Sequence, residues 1–289
     1  MDYADGRGEF FTALQRSPFF DYDRLRMNTD SPEPGTQGAP GQPSRDARNS
    51  EPSSDFQAVI LAGGLGTRML PITTSIPKPM IPVNGKPFLQ YQFELLARYG
   101  LRRVLLLVAY LGEQIEAHFG KGAALGIELA YSYESEPLGT GGALKNAAAQ
   151  LDKQFVVLNG DTYLPIDYRA LLQSFREKNN SAMIVAYRPA TEASADLVSR
   201  LPRNLAISAD GKISAYRKRD PQGLTHVDAG VLVLRKDILN AIPPRKCSLE
   251  EEIFPQLIAQ HRMEAWTTTE AFYDMGTPAG LEALAARLG

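Results

Sequence analysis

The chain holds a single cysteine, Cys247, among its 289 residues, which excludes an internal disulfide framework and suits a reducing compartment. Long apolar runs are missing too. The most extended, Val104–Leu111, falls far short of the ~20 residues a membrane helix requires and reads as a buried strand, so no membrane contact is expected. Neither sign of charge is in excess: 31 Lys and Arg face 33 Asp and Glu, for a net charge of −2, so no nucleic-acid partner is expected either. The three histidines, His118, His226 and His261, lack metal-ligand spacing, and no Ser/His/Asp set for covalent catalysis is legible.

Between residues 28 and 54 the chain is dominated by Pro, Gly, Ser, Asn, Asp and Gln, with no aliphatic side chain larger than alanine. Such a stretch buries too little apolar surface to offset its ordering entropy. Residues 1–54 therefore read as a disordered tail and 55–289 as the folded domain. The aromatic pairs Phe10-Phe11 and Phe19-Phe20 lack the basic region, apolar core and cleavage site of a secretory signal, and a cytoplasmic location is expected.

From Phe56 onward strand-like and helix-like patterns alternate, which argues an α/β fold. Strands are expected over 56–61, 103–111, 126–133, 155–159 and 181–187, with helices over 88–99, 113–119, 143–151 and 167–178. The second half is richer in strands, at 204–208, 211–217, 226–234 and 263–269, suggesting a smaller mixed region folded onto the main sheet. Helical patterns at 250–261 and 278–288 complete it.

The strand Phe56–Leu61 breaks into Ala62-Gly63-Gly64-Leu65-Gly66-Thr67-Arg68. Glycines let backbone N–H groups approach phosphate oxygens closely, and Arg68 adds a planar, permanently charged fork. Lys78 follows on the stiff segment Pro77-Lys78-Pro79. A Walker loop is excluded because no Gly-Lys-Ser/Thr follows the glycines. The dinucleotide fingerprint is excluded because Met69 stands at its third glycine and prolines replace the helix.

A second strand, Phe155–Asn159, runs into Gly160-Asp161, placing a carboxylate at the same sheet edge. Beside phosphates that carboxylate would repel them unless a divalent cation such as Mg²⁺ intervenes, and a plain Gly-Asp turn is the alternative reading. Asp274, in Tyr273-Asp-Met-Gly-Thr-Pro278, is a candidate second ligand, with helix-start chemistry as the competing reading. A third signal is Glu136-Pro-Leu-Gly139-Thr-Gly-Gly-Ala143, a close-approach loop with a carboxylate able to accept from base N–H donors. A plain strand-to-helix turn is its alternative. The run Glu250–Glu252 after Ser248 fits helix-start electrostatics better than metal binding.

In order and spacing these motifs resemble the sugar-1-phosphate nucleotidyltransferases, nearest the branch of D-glycero-α-D-manno-heptose 1-phosphate guanylyltransferases, over residues 55–289. The resemblance implies a Rossmann-like nucleotide-diphospho-sugar transferase fold with a mostly parallel mixed sheet. It also implies Mg²⁺-dependent transfer of a nucleotidyl group from an NTP to a sugar 1-phosphate, releasing pyrophosphate, with GTP and a heptose or mannose phosphate favoured. Arg68 and Lys78 would be catalytic, and Asp161 with Asp274 would hold the metal. Leu61, Ala62, Gly63, Glu136 and Gly139 would contact base and ribose, and Gly64, Gly66, Thr67 and Asp161 the phosphates. On the sugar side the family's Phe-x-Glu-Lys-Pro is replaced by Tyr216-Arg-Lys218-Arg-Asp-Pro221. Lys218, Asp228 and Gly230 are the candidates there, with a solvated charged turn as the alternative for Lys218. Uridylyl or thymidylyl transfer, and a sugar-nucleotide-binding regulator without turnover, stand as alternatives. Assembly into a homo-oligomer is left open.

Overall fold

Strand β1 (Gln57–Leu61) is an interior strand of the main sheet, with neighbours paired on both sides. A computed structural model describes residues 56–69, 72–178, 180–189, 201–218 and 220–289; the tail reading for 1–54 lies outside the described residues. After β1 come the two-residue strands β2 (Pro82–Val83) and β3 (Lys86–Pro87), then α1 (Phe88–Arg98), β4 (Arg103–Val108), α2 (Gly112–Phe119) and β5 (Glu128–Tyr133). Next follow α3 (Gly139–Asn146), β6 (Gln154–Asn159), β7 (Thr162–Tyr163), α4 (Tyr168–Glu177) and β8 (Ala182–Tyr187). The last part holds β9 (Leu205–Ile207), β10 (Ile213–Tyr216), β11 (Val227–Arg235), α5 (Phe254–Ala259), β12 (Met263–Thr268), β13 (Tyr273–Asp274) and α6 (Pro278–Leu288).

Seven strands form one sheet in the order β12-β8-β11-β6-β1-β4-β5. β1, β4, β5 and β6 pair in parallel, as do β8 and β12, while β11 runs antiparallel to both β6 and β8. The sheet is thus mixed but mostly parallel. Segments 226–234 and 263–269 prove to be strands of this sheet, not of a separate region, whereas 204–208 and 211–217 supply β9 and β10, a hairpin apart from it; β2–β3 and β7–β13 are two further two-stranded pairs.

Alternation along β1 explains why both faces are covered. Ala58 and Ile60 join one buried cluster with Val104, Leu106 and Phe93, whereas Val59 joins the other with Leu105, Val157 and Leu144. Each fully buried aliphatic or aromatic side chain contributes roughly 1.5–3 kcal/mol, so neither face is free to open for a ligand. Binding is left to the strand ends.

Three departures from the expected elements have local causes. The helix expected from Ala143 begins at Gly139, because the Gly141 and Gly142 N–H groups both donate to the Cys247 carbonyl (2.9 and 3.2 Å). Tertiary contact here overrides the poor helix propensity of glycine. The strand expected to reach 111 stops at Val108, where Leu111 turns the chain at φ 58°. The helix expected over 250–261 is a π-helical turn, Leu249–Ile253, followed by α5; Pro255 has no N–H to donate, which favours the break.

Candidate active site

At the carboxyl ends of β1 and β6 lies a cavity of about 550 Å³. Leu61, Ala62, Gly63, Gly64, Gly66, Thr67 and Arg68 line one wall, and Lys78, Gly139 and Asp161 complete it among the residues expected from sequence. The two strand ends are pressed together: the Gly160 N–H donates to the Leu61 carbonyl (3.0 Å), and a Cβ on Gly160 would lie 2.5 Å from that oxygen. No other residue fits without moving one strand.

The glycine loop closes back on itself. The Ala62 N–H is held by the Leu107 carbonyl (2.8 Å), the Gly66 carbonyl accepts from Met69 N–H and Thr73 Oγ1 (2.8 and 3.0 Å), and residues 67–69 form a 3-10 turn. Arg68 is thereby left exposed at the cavity mouth. Lys78 follows on a second 3-10 turn, Lys78–Met80, behind the extended Pro77, and is only 8% exposed.

A lysine buried that deeply requires anionic partners. Its ammonium lies 2.6 Å from Asp161 Oδ2 and 4.0 Å from Asp274 Oδ1. These carboxylates, far apart in sequence, meet because β7 and β13 pair antiparallel with Asp274 opposite Thr162, and because the Met275 N–H donates to the Asp161 carbonyl (3.1 Å). Burial raises the Asp274 carboxyl, as does the Asp161 charge; Lys78, the Gly276 N–H and Arg68 pull the other way. Arg68 Nη2 and the Asp274 oxygens all lie within about 3.1 Å of where a Gly276 Cβ would stand. The helix-start role considered for Asp274 belongs instead to Thr277, whose Oγ1 accepts the Gly280 N–H (3.1 Å). Arg68, Lys78, Asp161 and Asp274 therefore converge on one place. Among the described residues no group of three or more His, Cys, Asp or Glu converges, so a metal here would have two protein carboxylates and would take its remaining ligands from phosphate and water.

Beside the Gly139 loop the structure departs from the sequence reading. Glu136 is exposed and outside the cavity wall; the carboxylate that lines the wall is Glu134, two residues earlier. Its Oε2 accepts the Leu138 N–H (2.9 Å), and its Oε1 lies 2.8 Å from the place of a Gly63 Cβ, so only a glycine at 63 leaves it room. Burial pushes the Glu134 carboxyl up, partly offset by the Leu138 N–H. The signal that marks Asp161, a carboxylate just past a strand's carboxyl end, marks Glu134 past β5 equally.

Lys218, Asp228 and Gly230 lie beside the cavity and not in its wall. Lys218 Nζ is 3.6 Å from Glu250 Oε2 and 3.9 Å from Glu251 Oε1, so it is an ion-paired cation facing an acidic turn. Glu250, which sequence reasoning gave only a helix-start role, does line the cavity and accepts Thr140 Oγ1 (2.8 Å). The helix-start role falls to Ser248, which accepts the Glu251 N–H (3.2 Å). Asp228 accepts from Tyr216 OH (3.0 Å) and Gly230 N–H (2.9 Å), and burial pushes its carboxyl up to about 6. Gly230 abuts the turn that carries Asp161. His226 is buried against Thr225 and Cys247 packs on the Gly139 loop, so neither enters the cavity.

The nucleotidyl transferase family model matches residues 57–199. A D-glycero-alpha-D-manno-heptose 1-phosphate guanylyltransferase of Campylobacter jejuni is 37% identical over 224 residues, covering 77% of this chain and 96% of that protein. The chain belongs to the sugar-1-phosphate nucleotidyltransferases. A mannose-1-phosphate guanylyltransferase of Mycobacterium tuberculosis is 34% identical over 76% of this chain, which spans 61% of that longer relative. Among solved structures, HddC from Yersinia pseudotuberculosis superposes with a TM-score of 0.69 at 31% identity, over 81% of this chain and all of that one; its complex with GMP-PN gives 0.67. The nucleotidyltransferase is thus an enzyme of EC 2.7.7 type with the family's Rossmann-like fold. Among the described residues no helix is long and apolar enough to cross a membrane.

Proposed function

We propose that this nucleotidyltransferase moves a guanylyl group from GTP to a heptose or mannose 1-phosphate. The observation that carries the base is Glu134. Guanine presents two adjacent donors, N1–H and N2–H, and a carboxylate offers two acceptors to match them. Uracil and thymine present acceptor, donor, acceptor, and their carbonyls would face a buried negative charge. The acceptor class is supported by the names of the heptose- and mannose-phosphate relatives, and a cytoplasmic setting by the scarcity of cysteine.

In the reaction, a sugar-phosphate oxygen forms a bond to the α-phosphorus while the bond to the bridging oxygen of pyrophosphate breaks. No covalent enzyme intermediate is required, so the protein's tasks are alignment and charge neutralisation. Arg68 at the mouth meets the leaving pyrophosphate. Lys78, at the cavity floor, meets the α-phosphate and its attacker. Gly64, Gly66 and Thr67 line the phosphates, while Leu61, Ala62, Gly63 and Gly139 surround base and ribose. Asp161 and Asp274 would hold Mg²⁺: an all-oxygen, two-carboxylate pair suits a hard cation that keeps waters and phosphate oxygens as its other ligands. Bound there, the metal supplies Lewis-acid neutralisation of the phosphates. Lys218, Asp228 and Gly230 flank the acceptor, with Glu250 between them and the nucleotide.

Pyrophosphate release, measured with GTP, UTP, dTTP, CTP and ATP against a panel of sugar 1-phosphates, tests the proposal. GTP-selective, EDTA-sensitive release is expected. Preference for UTP or dTTP overturns the base assignment, and nucleotide affinity without turnover overturns catalysis.

A further inference from the structure

Gln92 stands in the middle of α1 among Phe88, Leu89, Phe93, Leu95 and Leu96, and is 1% exposed. An amide at so apolar a position is costly unless its hydrogen bonds are made. Its Nε2 donates to the carbonyls of Asn159 (2.9 Å) and Thr162 (2.8 Å). Two acceptors on one atom settle which end of the amide faces them, since only the NH₂ has two hydrogens to give. Its Oε1 is buried with no partner. An orphaned buried carbonyl costs about 1–3 kcal/mol, so stability alone gives little reason for this side chain.

The two carbonyls it holds bracket Asp161, one on each side of the Gly160-Asp161 turn. The first turn of α1, just before Gln92, is fastened to the segment carrying Lys78: the Phe88 N–H donates to the Ile81 carbonyl (3.1 Å), and Tyr91 OH donates to the Val83 carbonyl (2.9 Å). One rigid helix thus grips both sides of the Lys78–Asp161 pair. We propose that Gln92 is a positioning residue of the transferase: its amide sets the placement of the Asp161 carboxylate relative to Lys78, and touches no substrate itself. The inference rests on the assignment of Asp161 to the phosphates made above.

Displacement of a reacting group by about 1 Å can cost about 100-fold in rate. Gln92→Met keeps the volume and removes the orphaned oxygen but leaves the Asn159 and Thr162 carbonyls without this donor, so Tm falls, by no more than in the control below, while kcat falls at least tenfold and KM for GTP changes less than threefold. Leu257→Ala, in the opposite core face, is the control: it lowers Tm and leaves kcat near wild type. Gln92→Glu supplies a readout that packing alone would not move. Its ionised form is repelled by the two carbonyls and its protonated form donates once, so its kcat relative to wild type rises as pH falls. A Gln92→Met enzyme with kcat within twofold of wild type overturns the inference, as does a Gln92→Glu profile parallel to wild type. Asp161→Asn separates the two levels. Full activity there sinks the role of Asp161 itself; its loss beside a normal Gln92→Met enzyme sinks only the strut.

Discussion

Replacing Glu134 by glutamine tests base recognition with the change of a single atom. The Leu138 N–H donates to Oε2 at 2.9 Å and would keep the amide oxygen of the variant, so the NH₂ would take the place of Oε1 beside Gly63. A guanine N–H would then meet a donor where it had an acceptor. A hydrogen bond to a charged group is worth about 1.5–3 kcal/mol, and an unmade one adds the cost of the stranded donor, for a loss of about 2–4 kcal/mol. At ~1.4 kcal/mol per factor of ten, kcat/KM for GTP falls roughly 30- to 1,000-fold. The same NH₂ can donate to a uracil carbonyl, lifting UTP by about tenfold through one neutral hydrogen bond. The GTP/UTP ratio, from initial rates of pyrophosphate release with one sugar 1-phosphate, should drop by two to four orders of magnitude. A ratio within threefold of wild type refutes the reasoning.

Three further outcomes follow from the geometry. Lys78→Gln removes the cation 2.6 Å from Asp161 Oδ2, so Mn²⁺ binding without nucleotide, followed by electron paramagnetic resonance, should tighten about tenfold while turnover is lost; unchanged or weaker binding counts against a metal on this carboxylate pair. Gly160→Ala places a Cβ 2.5 Å from the Leu61 carbonyl, and the overpacking should cost about 1–3 kcal/mol, seen as a fall in Tm; an unchanged Tm contradicts the close approach of β1 and β6. The Asp228 carboxyl sits at about 6, above the usual carboxylate range, so the folded state holds a proton the unfolded chain releases, and stability relative to Asp228→Asn falls as pH rises from about 4 to about 6 and is level above. Urea melts of both proteins across that window check the sign, and a rising difference would falsify the burial argument.

The fold was legible wherever a periodic apolar pattern was backed by a local stop signal. Helix α1 keeps its stripe of Phe88, Leu89, Phe93 and Leu96, and α4 starts where Asp167 accepts the Arg169 and Ala170 N–H groups. Sequence patterns miss what depends on distant partners. The antiparallel direction of β11 has no local signature, and the helical state of Gly139–Gly142 is set by a carbonyl from residue 247. At the site, Arg68 and Asp161 stood out because they follow strands and glycines, and Lys78 because it is a cation on a stiff proline-flanked segment soon after that loop. Glu134 did not, because Glu136 sits closer to the glycine motif and alternation alone does not say which carboxylate turns inward. Gln92 sits inside an apolar stripe and gave no signal of its own.

The charges at the site explain why so few side chains suffice. Before substrate, Lys78 and Arg68 offset Asp161 and Asp274, so these four side chains together carry no net charge. A nucleoside triphosphate brings ~4 negative charges and a sugar phosphate adds more, far beyond what two cations neutralise in a low-dielectric cleft. Further carboxylates would deepen that deficit unless they recruit cations. Under the proposed metal role, the two carboxylates held together by the β7–β13 pair would do so, and their arrangement would make binding conditional. Lys78 already lies between them, so a divalent ion arriving alone competes with a fixed ammonium, whereas one arriving on a triphosphate leaves the ammonium an anion of its own to meet. If these carboxylates hold the metal as proposed, the buried lysine balances them in the empty site and assigns the metal to the nucleotide, which is where neutralisation of the leaving pyrophosphate is needed.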